Sequence, residues 1–288
     1  MWIANDIRRQ RTCKPSRVQD VMEPTGAGTP VASVPDVKVD LHLHTNYSID
    51  GWASPEETVQ RAIADGLDKI AITDHETIEG ALAARRIHPD HAIVGEEINC
   101  RCGTHLIGLF LTEHVPSGLS IESTAERIRQ QSGVVYGPHP FAYITRSTER
   151  AARVLAVSDV AEVFNSRAFL PHWNKKAMAL AEQQNLPPAA SSDGHFPWEL
   201  GRAYTELPEF HTADEFIASL GHARPVGLRT GSPWLHVTSM LIAKTRWLAG
   251  SRRETPPLHQ ESDASVLASL REVQLRESQP ARPLGDWT

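Results

Sequence analysis

Two histidines one residue apart, His42 and His44, stand at the end of an apolar segment that begins near residue 37. In an extended strand, residues i and i+2 point to the same face, so both imidazoles are expected on one side of the chain. Neutral imidazole is a good ligand for Zn, Mn and Fe ions. The pair therefore indicates a metal site, although so short a pattern also occurs as two solvated histidines at a strand end.

Other short apolar segments are followed by residues of the same kind. Four such side chains stand at or just past the ends of different segments with strand character: His75, Glu97, His139 and Asp193. Imidazole nitrogens and carboxylate oxygens together form mixed ligand sets that accept Mn, Fe or Zn. We predict that these residues share one metal centre with the first two histidines, and that the sequence does not determine which metal it holds.

The segments that must position these residues alternate between strand and helix character about seven times. This alternation predicts a parallel sheet with right-handed crossovers, either closed into a barrel or open and doubly wound. In a barrel the carboxyl ends of the strands converge on one face, whereas an open sheet would spread them along a line. The placement of the polar residues at strand ends therefore favours an α/β barrel.

Composition predicts one central domain with two tails. Residues 1–36 and 250–288 are polar and contain many Arg, Pro, Ser and Gly residues. Such segments cannot bury enough apolar surface to offset the entropy lost on ordering. We predict a disordered N-terminal tail over residues 1–36, a domain over residues 37–249 and a mostly mobile C-terminal tail over residues 250–288.

Composition and charge also restrict the partners. The chain has no apolar run of about 18 residues, so a membrane partner is not expected. Its start lacks the apolar segment of a signal peptide, and three cysteines indicate reduced thiols, which together predict a cytoplasmic location. A net charge of -6 argues against duplex nucleic acid as a partner. These features leave the oligomeric state open.

Seven segments of the sequence resemble, in order and spacing, the polymerase-and-histidinol-phosphatase (PHP) family of metal-dependent phosphoesterases. They are HLHTNYSIDG, ITDHETIEG, GEEI, HLIGLFL, GPHPF, AEVFNSR and SSDGHFPWELGRAYTELP, and they cover residues 37–232. The resemblance implies a distorted (β/α)7, TIM-like barrel with two or three divalent transition-metal ions, Mn, Fe or Zn, at the C-terminal ends of the strands.

The resemblance also implies a ligand set, carried over by position. The first ion would take His42, His44, Glu97 and Asp193; the second His105 and His139, with Glu97 as the bridge; and the third Asp50, His75 and His195. The loop from His44 to Asp50 is one residue longer than in family members with an SDG sequence, which makes the third site a departure from the pattern. Glu162, inside its predicted strand, is interpreted as a carboxylate behind the ligands or a partner at the edge of the core, rather than as a ligand.

The implied reaction is hydrolysis of a phosphomonoester or phosphodiester by attack of a metal-bound hydroxide. Two or three divalent ions would outweigh the carboxylates, so the pocket should attract an anion. Arg202 and Arg167 are candidate phosphate clamps, because a guanidinium can bind two phosphate oxygens at once.

The predicted substrate is a small phosphorylated metabolite, with a nucleotide or an oligonucleotide end favoured. Five aromatic residues fall in loops beside the ligands and could stack on a base: Trp52, Phe141, Tyr143, Phe196 and Trp198. The stretch between His105 and His139 is too short for the helical insertion of nucleotide-cleaving relatives. It should leave the pocket relatively open, which suits a nucleotide or an oligonucleotide end better than a small compact substrate. Three alternatives stay open: a histidinol-phosphate-type phosphatase, an amidohydrolase-like hydrolase and a non-catalytic metal-binding regulatory module.

Overall fold

A computed structural model describes residues 35–141 and 147–248 of the chain. The predicted tails, residues 1–36 and 250–288, lie outside these ranges except for residues 35 and 36, and Tyr143 also lies outside them. Within the described ranges, no helix has both the length and the apolar character needed to cross a membrane.

The described residues form nine strands and seven α-helices. In chain order these are β1 Asp36–Leu43, α1 Pro55–Ala64, β2 Lys69–Ile72, α2 Glu79–Ile87, β3 Ala92–Asn99, β4 His105–Leu109, α3 Ile121–Arg129, β5 Val134–Gly137, α4 Thr148–Ala156, β6 Val160–Asn165, α5 Pro171–Gln183, β7 Pro188–Ser191, β8 Tyr204–Pro208, α6 Ala213–Ser219, β9 Arg224–Val226 and α7 Pro233–Leu248.

The strands form one sheet in the order β7-β6-β5-β4-β3-β2-β1-β8-β9. The segment after β7 returns to β1, where Gly194 pairs with Leu43 and the Ser192 amide donates a 3.0 Å hydrogen bond to Asp40 Oδ1. These contacts bring the two sides of the sheet together, so that the barrel is nearly closed. The predicted α/β barrel is confirmed.

The prediction that the sheet is parallel was wrong for part of it. Strand β4 runs antiparallel to both β3 and β5, and β8 runs antiparallel to β1 and β9. A parallel connection needs a crossover of a dozen or more residues. Only five residues, 100–104, join β3 to β4, which leaves room for a hairpin alone.

The helix α1 begins where its sequence predicts and covers the sheet with apolar side chains. Ser54 caps α1 in a capping box with Glu57, and Pro55 occupies the first turn. The buried face of α1, with Val59 and Ala62, joins Ile70 and Ile72 of β2 in the largest apolar cluster. This packing fixes the strands whose ends carry the candidate ligands.

Candidate metal centre

The structure brings all nine predicted ligands together at one end of the barrel. Three groups of ligand atoms, each within 4.8 Å of one another, occur among the described residues: His44 with His75 and His195, His42 with Glu97 and His139, and His42 with His44 and Asp193. The other two ligands contact members of these groups: His105 Nδ1 lies 2.7 Å from Glu97 Oε1, and Asp50 Oδ2 lies 3.1 Å from His195 Nε2. The side chains come from six different strands or strand-end loops, which is what a barrel mouth provides.

The two histidines of the first motif point at the same place. Their Nε2 atoms lie 3.1 Å apart, and both lie within 3.4 Å of Glu97 Oε2. The pairing of β1 with β2 shifts register between Asp40 and Leu43, where β1 has one residue more than its partner. Such bulges re-aim side chains next to functional sites.

Glu97 lies at the centre of the cluster, with its two oxygens facing opposite groups of imidazoles. Its Oε1 lies 2.7 Å from His105 Nδ1 and 2.9 Å from His139 Nε2. Its Oε2 lies 3.2 Å from His75 Nδ1 and faces the pair formed by His42 and His44. A carboxylate in this position can bridge two metal ions.

His105 reaches the cluster because β4 is antiparallel. It is the first residue of β4 and pairs with Asn99, the last residue of β3. The beginning of an antiparallel strand lies at the same edge as the ends of its parallel neighbours. The sequence placed His105 through the family pattern alone, since a strand start would not face this edge in a parallel sheet.

The ligands predicted for the third ion, Asp50, His75 and His195, lie beside the long loop that follows β1. Asp50 Oδ2 lies 3.1 Å from His195 Nε2 and 3.7 Å from His75 Nε2. The extra residue in this loop therefore leaves Asp50 within reach of both imidazoles.

The spacing of the donor atoms fits a metal ion. With metal-to-nitrogen distances of about 2.0–2.1 Å, the donors of a tetrahedral ion lie about 3.3 Å apart. In the group of His42, His44 and Asp193, the observed separations run from 3.1 Å, between the Nε2 atoms of the two histidines, to 3.6 Å, between His42 Nε2 and Asp193 Oδ1. Buried Asp50 Oδ1 has no hydrogen-bond partner among the described residues. This spacing allows the donors to hold a metal ion between them.

The electrostatics of the cluster support the same interpretation. Burial alone would raise the pKa of Glu97, but His105, His75 and His42 hold it well below its ordinary value. Burial alone would lower the pKa of His75, but Glu97 and Asp50 raise it to about 9. The carboxylates thus favour the protonated form of His75, and a divalent cation can replace that proton.

Comparisons with known proteins identify the family to which this chain belongs. A family model described as "PHP domain" matches residues 40–110, and one described as "PHP-associated" matches residues 171–225. An uncharacterized protein of Methanocaldococcus jannaschii is 34% identical over 181 residues, which are 61% of this chain and 72% of that protein. The chain belongs to the PHP domain family.

Two further matches have informative descriptions. The 5'-3' exoribonuclease of Haemophilus influenzae is 34% identical over 107 residues, 35% of this chain and 38% of that protein. A two-domain crystal structure from Bacteroides vulgatus, described as containing a predicted PHP-like metal-dependent phosphoesterase, has 18% identity and a TM-score of 0.56, covering 72% of this chain and 70% of that one. The latter match supports the fold.

The exclusion of duplex nucleic acid as a partner was wrong. Solved structures similar to this chain include endonuclease Q in complex with a 27-mer duplex that has an abasic lesion at the active site, with 16% identity, a TM-score of 0.48 and coverage of 65% of this chain and 57% of that one. Net charge, on which the exclusion depended, averages over the whole surface. A local site that holds cations attracts phosphate regardless of that average.

Several residues orient the PHP ligands from behind, and the sequence singled out only one of them. Glu162 Oε1 lies 3.2 Å from His42 Nδ1, while Glu162 Oε2 accepts hydrogen bonds from the His139 amide and from Asn165 Nδ2. Tyr136 donates its hydroxyl to Glu162 Oε1 at 3.1 Å. A carboxylate behind a ligating imidazole fixes its tautomer and ring orientation.

Asp74 organises the loop that carries Asp50, and sequence reasoning missed it. The carboxylate accepts hydrogen bonds from Thr45 and Ser48, through both their amides and their hydroxyls. Ser48 Oγ also lies 3.1 Å from His44 Nδ1. The one sequence feature that could have indicated Asp74 was its position next to His75, just after the end of β2.

Within the described part of the chain, neither candidate phosphate clamp forms a hydrogen bond to a side chain of the ligand cluster. Arg167 is buried and bonds Glu199 bidentately, at 3.1 Å and 3.0 Å, and also donates to Ser239 of α7. Arg202 lies at a partly exposed position beside Trp198, on a pocket next to α1. The clamp role stays a prediction for both arginines.

The aromatic residues divide into a buried and an exposed set. Phe141 and Phe196 are buried, whereas Trp52 and Trp198 are 56% and 54% exposed. The Trp198 and Phe196 rings are stacked, with centroids 4.9 Å apart and planes 7° apart. Phe196 directly follows His195, so the Phe196 ring lies between the exposed Trp198 indole and the segment that carries this ligand.

Proposed function

We propose that this chain hydrolyses a phosphomonoester or phosphodiester bond of a small phosphorylated metabolite, with nucleotides as the leading subclass. The observation that carries the proposal is the arrangement around Glu97. Its two oxygens face imidazoles on opposite sides, and Asp193 and Asp50 extend the same cluster. A shared carboxylate between histidine groups is suited to holding ions as a close pair.

The proposed ligands are the nine residues described above, with Glu97 shared between two ions. When bound, two divalent ions would lower the pKa of a coordinated water to about 7 and stabilise the charge that develops on the phosphate oxygens. The protein would hold the donors in place through Glu162, Asp74 and their hydrogen bonds. Mn, Fe and Zn all fit this mixed donor set.

We propose different roles for the two arginines. Arg167 already gives its guanidinium to Glu199, whose Oε2 accepts the amides of His195 and Phe196. Arg167 is therefore proposed to fix the ligand loop. Among the residues that the structure describes, the Arg202 side chain makes a single, long hydrogen bond, 3.4 Å from Nε to the Trp198 carbonyl, and it is proposed to contact substrate phosphate.

Nucleotides are favoured because flat exposed surfaces flank the ligands. Trp198 stacks on Phe196, and the Trp52 ring centroid lies 6.4 Å from that of Phe196. Stacking of a base on an aromatic ring contributes about 1–3 kcal/mol to the binding free energy, and any of the bases can stack in this way. The similarity to a 5'-3' exoribonuclease supports the same substrate class.

A phosphatase panel tests this function. The Mn-supplemented full chain would be assayed with p-nitrophenyl phosphate, bis-p-nitrophenyl phosphate, nucleotides, sugar phosphates and histidinol phosphate, with Asp193→Asn as the control for contaminating enzymes. We expect hydrolysis of at least one ester and the highest kcat/KM for nucleotides. Inactivity on every ester would favour a non-catalytic metal-binding module. Preference for sugar phosphates would contradict the stacking argument.

A further inference from the structure

The helix α7 carries its large apolar side chains on the face that points away from the barrel. It has 16 residues, of which Ser239 alone is buried. At 3.6 residues per turn, six exposed apolar side chains fall within an arc of about 140°, in which Lys244 is the one charged residue of the helix. The six are Trp234, Val237, Met240, Leu241, Trp247 and Leu248. We call these six side chains the outer stripe of α7.

Polar contacts on the opposite face hold α7 in this orientation. Ser239 Oγ accepts a hydrogen bond from Arg167 Nη2 at 2.8 Å, and His236 Nε2 lies 2.6 Å from the Arg167 carbonyl. Arg246 Nη1 donates to the Gly51 carbonyl at 2.7 Å. Most of the stability of a helix in a protein comes from burial of its apolar face. In α7 that face points outward, so a partner must supply the burial.

The outer stripe has the apolar area of one side of a stable dimer. Trp234 and Trp247 are 74% and 72% exposed, and an aromatic side chain buries roughly 150–250 Å². The other four side chains are 42–72% exposed, and burial of an aliphatic side chain removes roughly 60–120 Å². The stripe therefore presents roughly 350–650 Å² of apolar surface. A standard interface has about 800 Å² on each side, of which roughly 450 Å² is apolar.

The character of the outer stripe favours a second copy of this chain as the partner. Trp234, Leu241 and Leu248 are seven residues apart, the repeat with which two helices pack along each other. An apolar stripe is complementary to itself, and a twofold axis places the same surface on both subunits. A membrane surface instead attracts helices rich in Lys and Arg, whereas α7 has two such residues and the chain carries -6.

The position of Lys244 determines the direction of the pair. In a parallel pair each Lys244 would face its own copy, and like charges repel. In an antiparallel pair centred on Leu241, the two lysines are displaced by about 9 Å along the axis, because each residue advances 1.5 Å. Trp234 and Leu248 each lie seven residues from Leu241, so Trp234 would then pack against Leu248 of the partner subunit.

We propose that the outer stripe of α7 is the interface at which two copies of this chain pair, antiparallel and centred on Leu241. The pairing goes beyond the proposed hydrolytic function and does not depend on it. It buries the exposed indoles of Trp234 and Trp247 without using the face of α7 that contacts Arg167 and Gly51.

Analytical ultracentrifugation of the full chain over a range of protein concentrations tests the pairing. We expect the wild type to sediment as a dimer. Leu241→Glu should raise the Kd of the dimer at least about 100-fold, because it places two like charges together at the centre of the interface. Ile217→Glu makes the same kind of change at an exposed apolar position of α6 and should alter this Kd less than threefold.

Cysteine substitutions test the direction and the register of the pair. Mild oxidation with diamide should link Leu241→Cys into a dimer, whereas Lys244→Cys should give no more dimer than the wild type. A disulfide requires Cα atoms about 4.4–6.8 Å apart, less than the displacement expected between the two copies of position 244.

Each of three results would overturn the proposal. The first is a wild type that stays monomeric at every concentration, as it would if another segment of the chain covered the outer stripe. The second is a dimer whose Kd is the same in Leu241→Glu as in the wild type. The third is the absence of a disulfide-linked dimer of Leu241→Cys beyond the background of the wild type.

Discussion

Glu97 and its neighbour Glu96 show how one strand gives two adjacent carboxylates opposite tasks. Glu97 faces the histidine cluster, whereas Glu96 lies on the other face of β3. There its Oε1 is 2.6 Å from His114 Nδ1 and its Oε2 accepts the Val115 amide. Both residues are buried, so exposure does not distinguish them. The difference follows from the alternation of side chains along a strand.

The pair supplies a matched test of the ligand set. Glu97→Gln removes the charge that faces the imidazoles, so we expect the loss of at least one equivalent of metal and a fall in kcat/KM of at least about 100-fold. Glu96→Gln makes the same change on the opposite face and should keep the metal content. Elemental analysis of both purified variants measures this. Equal metal content in the two would show that Glu97 is not a ligand.

The pKa of His75 predicts how metal binding depends on pH. In the metal-free protein Glu97 and Asp50 raise this pKa to about 9, against the effect of burial, so the imidazole is protonated at pH 7. A metal ion accepts only the neutral imidazole, so binding must release the proton. Affinity should therefore rise about tenfold for each pH unit until pH reaches about 9.

Calorimetry of Mn binding at pH 7.5, in two buffers with different ionisation enthalpies, counts the released protons. We expect about one proton or more for each ion bound at the site of Asp50, His75 and His195. Binding without proton release, with the same affinity at pH 7 and pH 8, would contradict the protonated state of His75.

The ligands could be predicted from sequence, but the residues that orient them largely could not. Each ligand stands in a short motif at a strand end, and those motifs keep their order along the chain. The orienting contacts instead join distant positions: His42 and Glu162 are 120 residues apart, and Asp40 and Ser192 are 152 apart. Which distant side chains meet depends on strand order and register, which local patterns do not contain.

At the level of elements, helix starts were easier to predict than strand directions. The Ser54 cap and Pro55 define the start of α1, because capping residues act within four positions of the chain. The strand β8 and the helix α6 were not predicted at all. Strand β8 has only five residues, whose burial alternates and which end in a proline, so its pairing with β1 has little local signature.

The helix α7 is expected to stabilise the loop that carries Asp50. Arg246 of α7 donates to the carbonyls of Ile49 and Gly51, at 2.9 Å and 2.7 Å, on either side of that aspartate. Arg246→Ala should therefore lower occupancy of the ion held by Asp50, His75 and His195 and leave the other ions bound. Metal analysis should show about one equivalent less than in the wild type.

Lys244→Ala is the control for this experiment, because Lys244 is an exposed cation on the same helix. It should retain the full metal content. The same metal content in both variants, at limiting and at excess metal, would mean that α7 does not support the loop.

At the level of the whole molecule, the distribution of charge matters more than its sum. The chain carries -6, yet the metal centre would be cationic when loaded. A cationic centre of this kind would attract anions, while the rest of the surface sets the total charge. The net charge therefore gave a wrong expectation about nucleic acid, although it described the composition correctly.

Metal removal should weaken the whole fold, since the ligands come from both sides of the nearly closed barrel. An ion present at 100 times its Kd stabilises the folded state by about 2.7 kcal/mol. For a domain of this size, that corresponds to a fall in Tm of roughly 5–10 °C for each ion removed. Thermal unfolding with and without a chelator measures the change, and added Mn should restore the original Tm. An unchanged Tm after complete removal would show that the ligands are not coupled to folding.

The central claim is that the nine residues around Glu97 hold a centre of two or three metal ions. The most direct measurement is elemental analysis of the full chain, purified after expression in medium supplemented with Mn, Fe and Zn. The account predicts two to three equivalents of these metals combined per chain. A combined content below one equivalent would contradict it.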